Sequence, residues 1–327
     1  PRPADRTTLL RELLLPLVLE PDWPGPADPL PVGDGWVQPD LTDDDLDTFD
    51  RLRQILATTE SDVGPERLAA AAQEWRLPVL PYRALPLDAL PLDALPGRAR
   101  PERTSDQPGT RSPIGPTELD VERLRGLEGI QVLDLSSLWA GPLCTQLLAK
   151  AGAGVVKVDP DCRPDGFRDR PALHAELNQG KAIVSLDLRI SAERREFEEL
   201  LSSSDLLVES FSRRVLPNLG YDNLTLARLN PSLVRLSVVG FGADEPEADW
   251  LTYGSGIHAV SGMGMLHGRA EACPVAYPDP LTGYRAATAA TAVLEGPREF
   301  QHLEVSLADT GREVALRTQA SRSKVSP

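Results

Sequence analysis

Asp279 stands between two prolines in "YPDPLTGYRAATAATAVL" (Tyr277–Leu294), ahead of a run of small and apolar residues. Two chemistries fit that setting. Aspartate followed by proline is a helix start, with Asp at the N-cap and Pro at the first helical position. A carboxylate at a helix N-terminus is also stabilised as the anion, and an ionised carboxylate at the mouth of a pocket is a nucleophile. The two readings are compatible, and the residues alone leave both open.

The other reactive side chains form weaker patterns. Ser255 in "YGSGIH" lacks the glycine spacing of a hydrolase nucleophile elbow. The three cysteines (Cys144, Cys162, Cys273) are odd in number and make no disulfide framework, which fits a reducing cytoplasm. Of the four scattered histidines (His174, His258, His267, His302), only His267 has a cysteine nearby, Cys273. No further ligand pair follows at zinc-finger spacing, so no metal is expected.

The elements that must position Asp279 come from two textures. From residue 119 onward, strand patterns alternate with helical ones. "GIQVLDLSS", "AGVVKVD", "AIVSLDL", "DLLVES" and "LVRLSVVGFG" read as strands. "PLCTQLLAKAG", ended by Gly152, and "SAERREFEELLSSS", capped by Ser191, read as helices. Such alternation predicts a parallel, Rossmann-like α/β sheet with flanking helices. The first strand is not followed by G-x-G-x-x-G, and there is no P-loop, so neither common nucleotide fingerprint applies. The small-residue stretch 254–266, "GSGIHAVSGMGML", is expected to pack closely against a neighbour.

Residues 1–95 read as a smaller α-rich region, joined to the α/β domain (119–327) by a Pro-, Arg- and Ser-rich linker over 96–118. "DLTDDDLDTFDRLRQIL" predicts a helix capped by Asp40 or Thr42, with Leu46, Phe49, Leu52 and Leu56 on one face. "GPERLAAAAQEW" predicts a second helix with Pro65 in its first turn, and "LPVLPY" a short extended piece. "LLLPLVLE", after Arg2, Arg6 and Arg11, is short for a signal peptide and is bracketed by Glu12 and Glu20. An amphipathic helix stopped or kinked near Pro16 is expected. The "ALPLD" repeat within 84–97 carries prolines that forbid a long helix.

The formal charge is −15, from 34 basic and 49 acidic residues, with no dense basic block. A nucleic-acid partner is therefore not expected, and no apolar run reaches transmembrane length, so no membrane partner is expected either. An anionic ligand must be held by a local basic pocket against the overall field.

An ordered series of segments carries a family resemblance. "LEGIQVLDLSSLWAGPLCTQLLAKAGAGVVKVD", "LNQGKAIVSLDL", "LLVESFSRRVLPNLGYDNLTLARLNPSLVRLSVVGFG", "IHAVSGMG", "YPDPLTGYRAATAATAVL" and "HLEVSLAD" follow the order of the family III CoA-transferases over about residues 125–310. That family includes formyl-CoA and carnitine CoA-transferases and the related α-methylacyl-CoA racemases. The resemblance implies an enzyme that moves coenzyme A from an acyl-CoA to a carboxylic acid, without a metal. It places the nucleophilic aspartate at Asp279, four residues before Gly283, and implies a homodimer. It also implies that the loop Ser137, Leu138, Trp139, Ala140 lies against the nucleotide, with Trp139 stacking on adenine or serving as a core aromatic. Asn178 and Lys181 match the family's N-x-x-K, and Lys181 is either a phosphate ligand or a solvated lysine at a strand entry. Arg163, Arg168, Arg213 and Arg214 are further phosphate candidates, since guanidinium geometry suits that role.

The chain departs from the family in places. "PDCRPDGFRD" and "ADEPEADW" match the expected turns loosely or not at all. Tyr253 and Gly254 stand where the racemase branch has a His-Asp pair, which disfavours proton exchange at carbon. "VGDGWVQPDLTDDDLDTFDRLRQIL" and "ERLAAAAQEWRLPVLPYRAL" resemble a region that typical members carry after the α/β domain, so the order looks permuted. The alternative is a degenerate member that binds CoA or assists a partner subunit. What separates the two is whether a glycine-rich loop reaches Asp279, for which "GSG" and "GMG" are the candidates.

Overall fold

A computed structural model of the chain describes residues 27–60, 62–85, 110–111 and 126–323. The expected N-terminal helix, the "ALPLD" repeat beyond residue 85 and all of the 96–118 linker except Thr110–Arg111 lie outside the described residues.

In chain order the elements are β1 (Leu30–Val32), β2 (Gly35–Pro39), α1 (Asp43–Thr59), α2 (Pro65–Glu74), β3 (Val79–Pro81), β4 (Thr110–Arg111), β5 (Gln131–Leu135), α3 (Ala140–Lys150), β6 (Gly154–Val158), α4 (Pro171–Leu177), β7 (Ala182–Val184), α5 (Ser191–Ser202), β8 (Leu206–Glu209), α6 (Val215–Asn218), α7 (Asn223–Leu229), β9 (Val234–Val239), α8 (Gly254–Val260), α9 (Pro278–Leu294), β10 (Gln301–Ser306) and α10 (Leu307–Ser323). They fall into two compact units, one built around 126–239 and 280–305, the other around 27–85, 240–279 and 306–323.

The first unit is a seven-stranded sheet in the order β4-β10-β9-β8-β5-β6-β7. β5 pairs in parallel with both β6 and β8, β6 with β7, β8 with β9, and β10 with β4. Every residue of β8 and β9 is buried, as expected for central strands covered on both faces. Leu133, Leu207, Phe197, Leu201 and Tyr221 anchor the core. The predicted Rossmann-like α/β sheet is present, with one local difference. Ser191 is the first residue of α5 and Ile190 is its N-cap, because the Ile190 N–H already closes a turn on the Asp187 carbonyl at 2.9 Å.

In the second unit, β1, β2 and β3 form an antiparallel sheet. Phe49, Leu52 and Leu56 of α1 and Leu68 and Ala72 of α2 are buried in one core with Val37 and Val79 of that sheet. Full burial of each large side chain stabilises by about 1.5–3 kcal/mol. The fourth expected core position, Leu46, is exposed instead. α1 is capped by Thr42, whose N–H and hydroxyl donate to the Asp45 carboxylate at 3.1 and 2.7 Å, while the Asp45 N–H donates to the Thr42 carbonyl at 3.0 Å, which closes the first turn. Thr42 is therefore the cap, and Asp40 is free for another role. The β1–β2 hairpin turns at Gly33, whose φ of +55° suits glycine.

Candidate active site

Asp279 lies in the first turn of α9, which begins at Pro278. This differs from the expected N-cap placement by two residues, and the bonding differs more. The carboxylate accepts a hydrogen bond from the backbone N–H of Gly254, the first residue of α8. The approach is so close that a Cβ at position 254 would stand 2.1 Å from Asp279 Oδ2 and 2.9 Å from the Ala276 carbonyl oxygen. Glycine is needed there because its backbone alone leaves room for the carboxylate. Asp279 keeps partial solvent access. Burial pushes its carboxyl up to about 7; the Gly254 N–H opposes the rise and the charge of Asp40 adds to it.

Asp40 follows β2 and is tied to the sheet by its N–H, which donates to the Pro78 carbonyl at 3.0 Å. Its Oδ1 accepts from the Ser255 hydroxyl at 2.6 Å and from Gln38 Nε2 at 3.4 Å, and the Gly256 N–H also donates to this carboxylate. Oδ2 is buried without a hydrogen-bond partner. Burial pushes the Asp40 carboxyl up to about 6. The first turn of α8 thus holds two carboxylates, Asp279 on Gly254 and Asp40 on Ser255 and Gly256. Sequence reasoning missed this role because "QPDLT" reads as a helix start and nothing in its neighbourhood points to Asp279.

The groups around this pair are neutral. Tyr82 donates its hydroxyl to Gln38 Oε1 at 2.8 Å. Burial raises the Tyr82 and Tyr277 phenols and pushes the Cys273 thiol up to about 12. His258 holds the Glu271 carbonyl on Nε2 at 3.1 Å and the Tyr277 hydroxyl on Nδ1 at 3.2 Å. A carbonyl only accepts, so Nε2 carries the proton and Nδ1 accepts from the phenol. Burial lowers the affinity of this ring for a second proton. Cys273 is therefore held as a thiol, and both nitrogens of His258 are engaged. The expected close packing of 254–266 is present: a Cβ on Gly256 would meet Leu80 and Thr252, and one on Gly264 would meet Tyr82 and His258. Of the two glycine candidates, "GSG" reaches Asp279.

In the first unit, the chain runs outward from β5 to β6 and β7 on one side, then returns to β8 on the other. Such a reversal opens a crevice at the C-terminal ends of the two strands, the usual ligand position in an open α/β sheet. The loop from Ser137 to Ala140 leaves β5 there. The Ser137 N–H donates to Ser210 Oγ, after β8, at 3.0 Å. Leu138 has a φ of +66°, and its N–H donates to Asp165 Oδ1 at 3.1 Å. Trp139 and Ala140 are buried. Arg163 is exposed, with its guanidinium 5.7 Å from the Phe211 ring centroid, and Arg213 is paired with Glu304. Arg168 bonds Asp159 and Asp161 at 2.7 and 2.9 Å, and Arg214 is exposed.

Asn178 and Lys181 meet in the interior. Lys181 Nζ donates to Asp134 Oδ2 at 3.0 Å, to the Pro142 carbonyl at 2.9 Å and to Asn178 Oδ1 at 3.1 Å. All three ammonium donors are engaged, and its side chain is fully buried. Burial raises the pKa of Asp134, but Lys181, Lys157 and the Ser136 and Thr145 hydroxyls outweigh it and hold the carboxyl down at about 2. Lys157 in turn bridges the Ser136 carbonyl and Asp165 at 2.7 and 3.1 Å. The signal for this network is the single charge inside each of two apolar strands, Asp134 in "VLDLSS" and Lys157 in "VVKVD". Among the described residues, no group of three or more His, Cys, Asp or Glu side chains is arranged to hold a metal, and no helix is long and apolar enough to cross a membrane.

With this fold and these carboxylates in place, comparison with known proteins gives the class. The sequence profile of CoA-transferase family III matches residues 127–320, and the chain belongs to that family. It is 31% identical over 204 residues to a succinate–glutarate CoA-transferase of Agrobacterium fabrum, covering 56% of this chain and 51% of that protein. It is 31% identical over 154 residues to an acetyl-CoA:oxalate CoA-transferase of Acetobacter aceti, covering 45% of this chain and 40% of that protein. A CAIB/BAIF family protein from Brucella suis superposes with a TM-score of 0.54 at 26% identity, covering 62% of this chain and 59% of that one. The chain spans about half or less of the length of these curated relatives.

Proposed function

We propose that this protein transfers coenzyme A from an acyl-CoA to a short dicarboxylic acid, with Asp279 as nucleophile. The observation that carries the reading is the Asp279 carboxylate itself, partly accessible and held by the Gly254 N–H in a family of CoA-transferases. The acceptor class rests on the relatives, whose names specify succinate, glutarate and oxalate.

In this reading the ionised carboxylate of Asp279 attacks the thioester carbon. The C–S bond breaks, leaving an acyl-aspartyl anhydride and the CoA thiolate. The thiolate attacks the aspartyl carbonyl, releasing the donor acid and forming an aspartyl-CoA thioester. The acceptor carboxylate attacks that thioester and expels the thiolate, which then takes the acceptor acyl group and restores Asp279. Charge passes between carboxylate and thiolate at each step, so no external base is required. Backbone N–H groups near Gly254 are suited to the oxyanions that form at the aspartyl carbonyl.

The nucleotide is assigned to the crevice between β5 and β8, along Ser137, Leu138, Trp139 and Ala140. Arg163 and Arg213 are its candidate phosphate ligands. Asn178 and Lys181 brace the floor of this region through Asp134, and act on CoA indirectly. The reading includes a homodimer, with the segment before the linker standing in for the family's small domain. Steady-state assays with an acyl-CoA panel and oxalate, succinate or glutarate test it. Turnover with ping-pong kinetics in the wild type, lost in Asp279→Ala, is expected. CoA binding without turnover under every pairing would favour the degenerate alternative.

A further inference from the structure

We propose that Asp40 is a positioning residue for Asp279: the first turn of α8 holds both carboxylates on consecutive residues, so that the two charges face each other across one helix turn. The geometry has three parts. Gly254 takes Asp279, while Ser255 and Gly256 take Asp40. Asp40 Oδ2 is buried with no partner. Among the described residues, no basic side chain is paired with either carboxylate, so the repulsion between them is not neutralised locally. Asp40 lies before the expected linker and Asp279 far beyond it, so the N-terminal segment contributes directly to the candidate site.

The titratable groups that face the pair leave its charge to the two aspartates. Both carboxylates act on the Cys273 thiol, and Tyr82, which follows β3, faces Asp40. Tyr277, next to Cys273, and Tyr82 are phenols raised by burial, and the Cys273 thiol is raised as well. His258 on α8 is turned to Tyr277 and the Glu271 carbonyl. The Glu271 carboxylate faces His267 and Arg269 instead, and Asp28 acts on Tyr82. With Asp40 ionised, Asp279 is kept more basic than an isolated carboxylate at a helix N-terminus. For the reaction proposed above, on which this functional consequence rests, that basicity makes Asp279 a stronger nucleophile near neutral pH.

The test reads protonation directly and needs no turnover. The full chain is labelled with ¹³C at the aspartate carboxyls and titrated by NMR from pH 4 to 9. The Asp279 resonance is assigned by its loss in Asp279→Asn. In Asp40→Asn, the Asp279 midpoint is expected to move to lower pH by roughly one unit, the size of effect a nearby like charge produces in a buried site. Ser255→Ala is the gentler second variant. Losing the hydroxyl donor raises the Asp40 midpoint and shifts the Asp279 curve with it, and a purely structural role would leave the Asp279 curve in place. An Asp279 curve unmoved in Asp40→Asn, or unmoved in Ser255→Ala while the Asp40 midpoint rises, overturns the proposal. Asp279→Ala retaining full turnover would instead remove the nucleophile assignment and leave the coupling between the two carboxylates standing.

Discussion

The backbone N–H of Gly254 donates to the carboxylate of Asp279, and only the absence of a Cβ at position 254 lets the two meet. Gly254→Ala would place a methyl 2.1 Å from Asp279 Oδ2 and 2.9 Å from the Ala276 carbonyl oxygen. The side chain of Asp279 can rotate away, but the Ala276 carbonyl is backbone and yields less easily. The expected result is a folded protein with kcat reduced by about 100-fold or more, the cost of misplacing a reacting group by an ångström. Circular dichroism and the transfer assay together check this.

The pH dependence follows from Asp279. Its carboxyl is pushed up to about 7, and the proposed chemistry needs the anion. Transfer rates should therefore fall tenfold per unit as pH drops well below 7. Stability runs the other way. A carboxyl whose folded pKa is raised contributes stability that is full below the unfolded value near 3.8 and is lost as pH rises through about 7. Asp279→Asn should therefore melt higher than wild type at pH 8, and the difference should shrink toward pH 4. Equal melting temperatures at pH 8 would contradict the burial ascribed to this carboxyl.

How much of this was legible in the sequence differs from element to element. The α/β sheet was, because apolar strands such as "DLLVES" and "LVRLSVVGFG" alternate with amphipathic helices. The close packing of 254–266 was also legible, since such a density of glycine has few other uses. Asp279 is singled out by its place in an ordered family series, whereas its local sequence fits a cap equally well. Asp40 was hidden because its partners, Ser255 and Gly256, are brought to it by tertiary folding alone. Lys181 looked like a surface lysine because the sequence does not show that the Asp134 side chain points inward to meet it.

That last pair makes a separate prediction. Lys181 and Asp134 are fully buried partners, and removing one leaves a charge without compensation. Lys181→Ala is expected to destabilise the protein by about 3–5 kcal/mol. Chemical denaturation should show this loss, and any fall in CoA affinity should be no larger than the unfolded fraction explains. A variant of wild-type stability that no longer binds CoA would make Lys181 a direct phosphate ligand.

His302 sets an opposing acid limit. It lies against Ser237 Oγ on Nε2 at 2.8 Å and Asn223 on Nδ1 at 3.2 Å, and burial pushes its pKa down to about 3. A base with a depressed folded pKa contributes stability that is full above the unfolded value near 6.5 and is lost as pH falls toward about 3. His302→Gln should lower stability at pH 7 but flatten its decline between pH 6.5 and 4. An unchanged slope in thermal melts across that window would contradict the assignment.

The most direct test of the central claim is to trap the intermediate. The protein is mixed with succinyl-CoA, quenched in mild acid and measured by intact-mass spectrometry, with Asp279→Ala in parallel. A CoA- or acyl-sized gain on the wild type, mapped to the peptide containing Asp279 and absent in the variant, is the predicted result. An adduct that survives in Asp279→Ala, or maps to another residue, would contradict it.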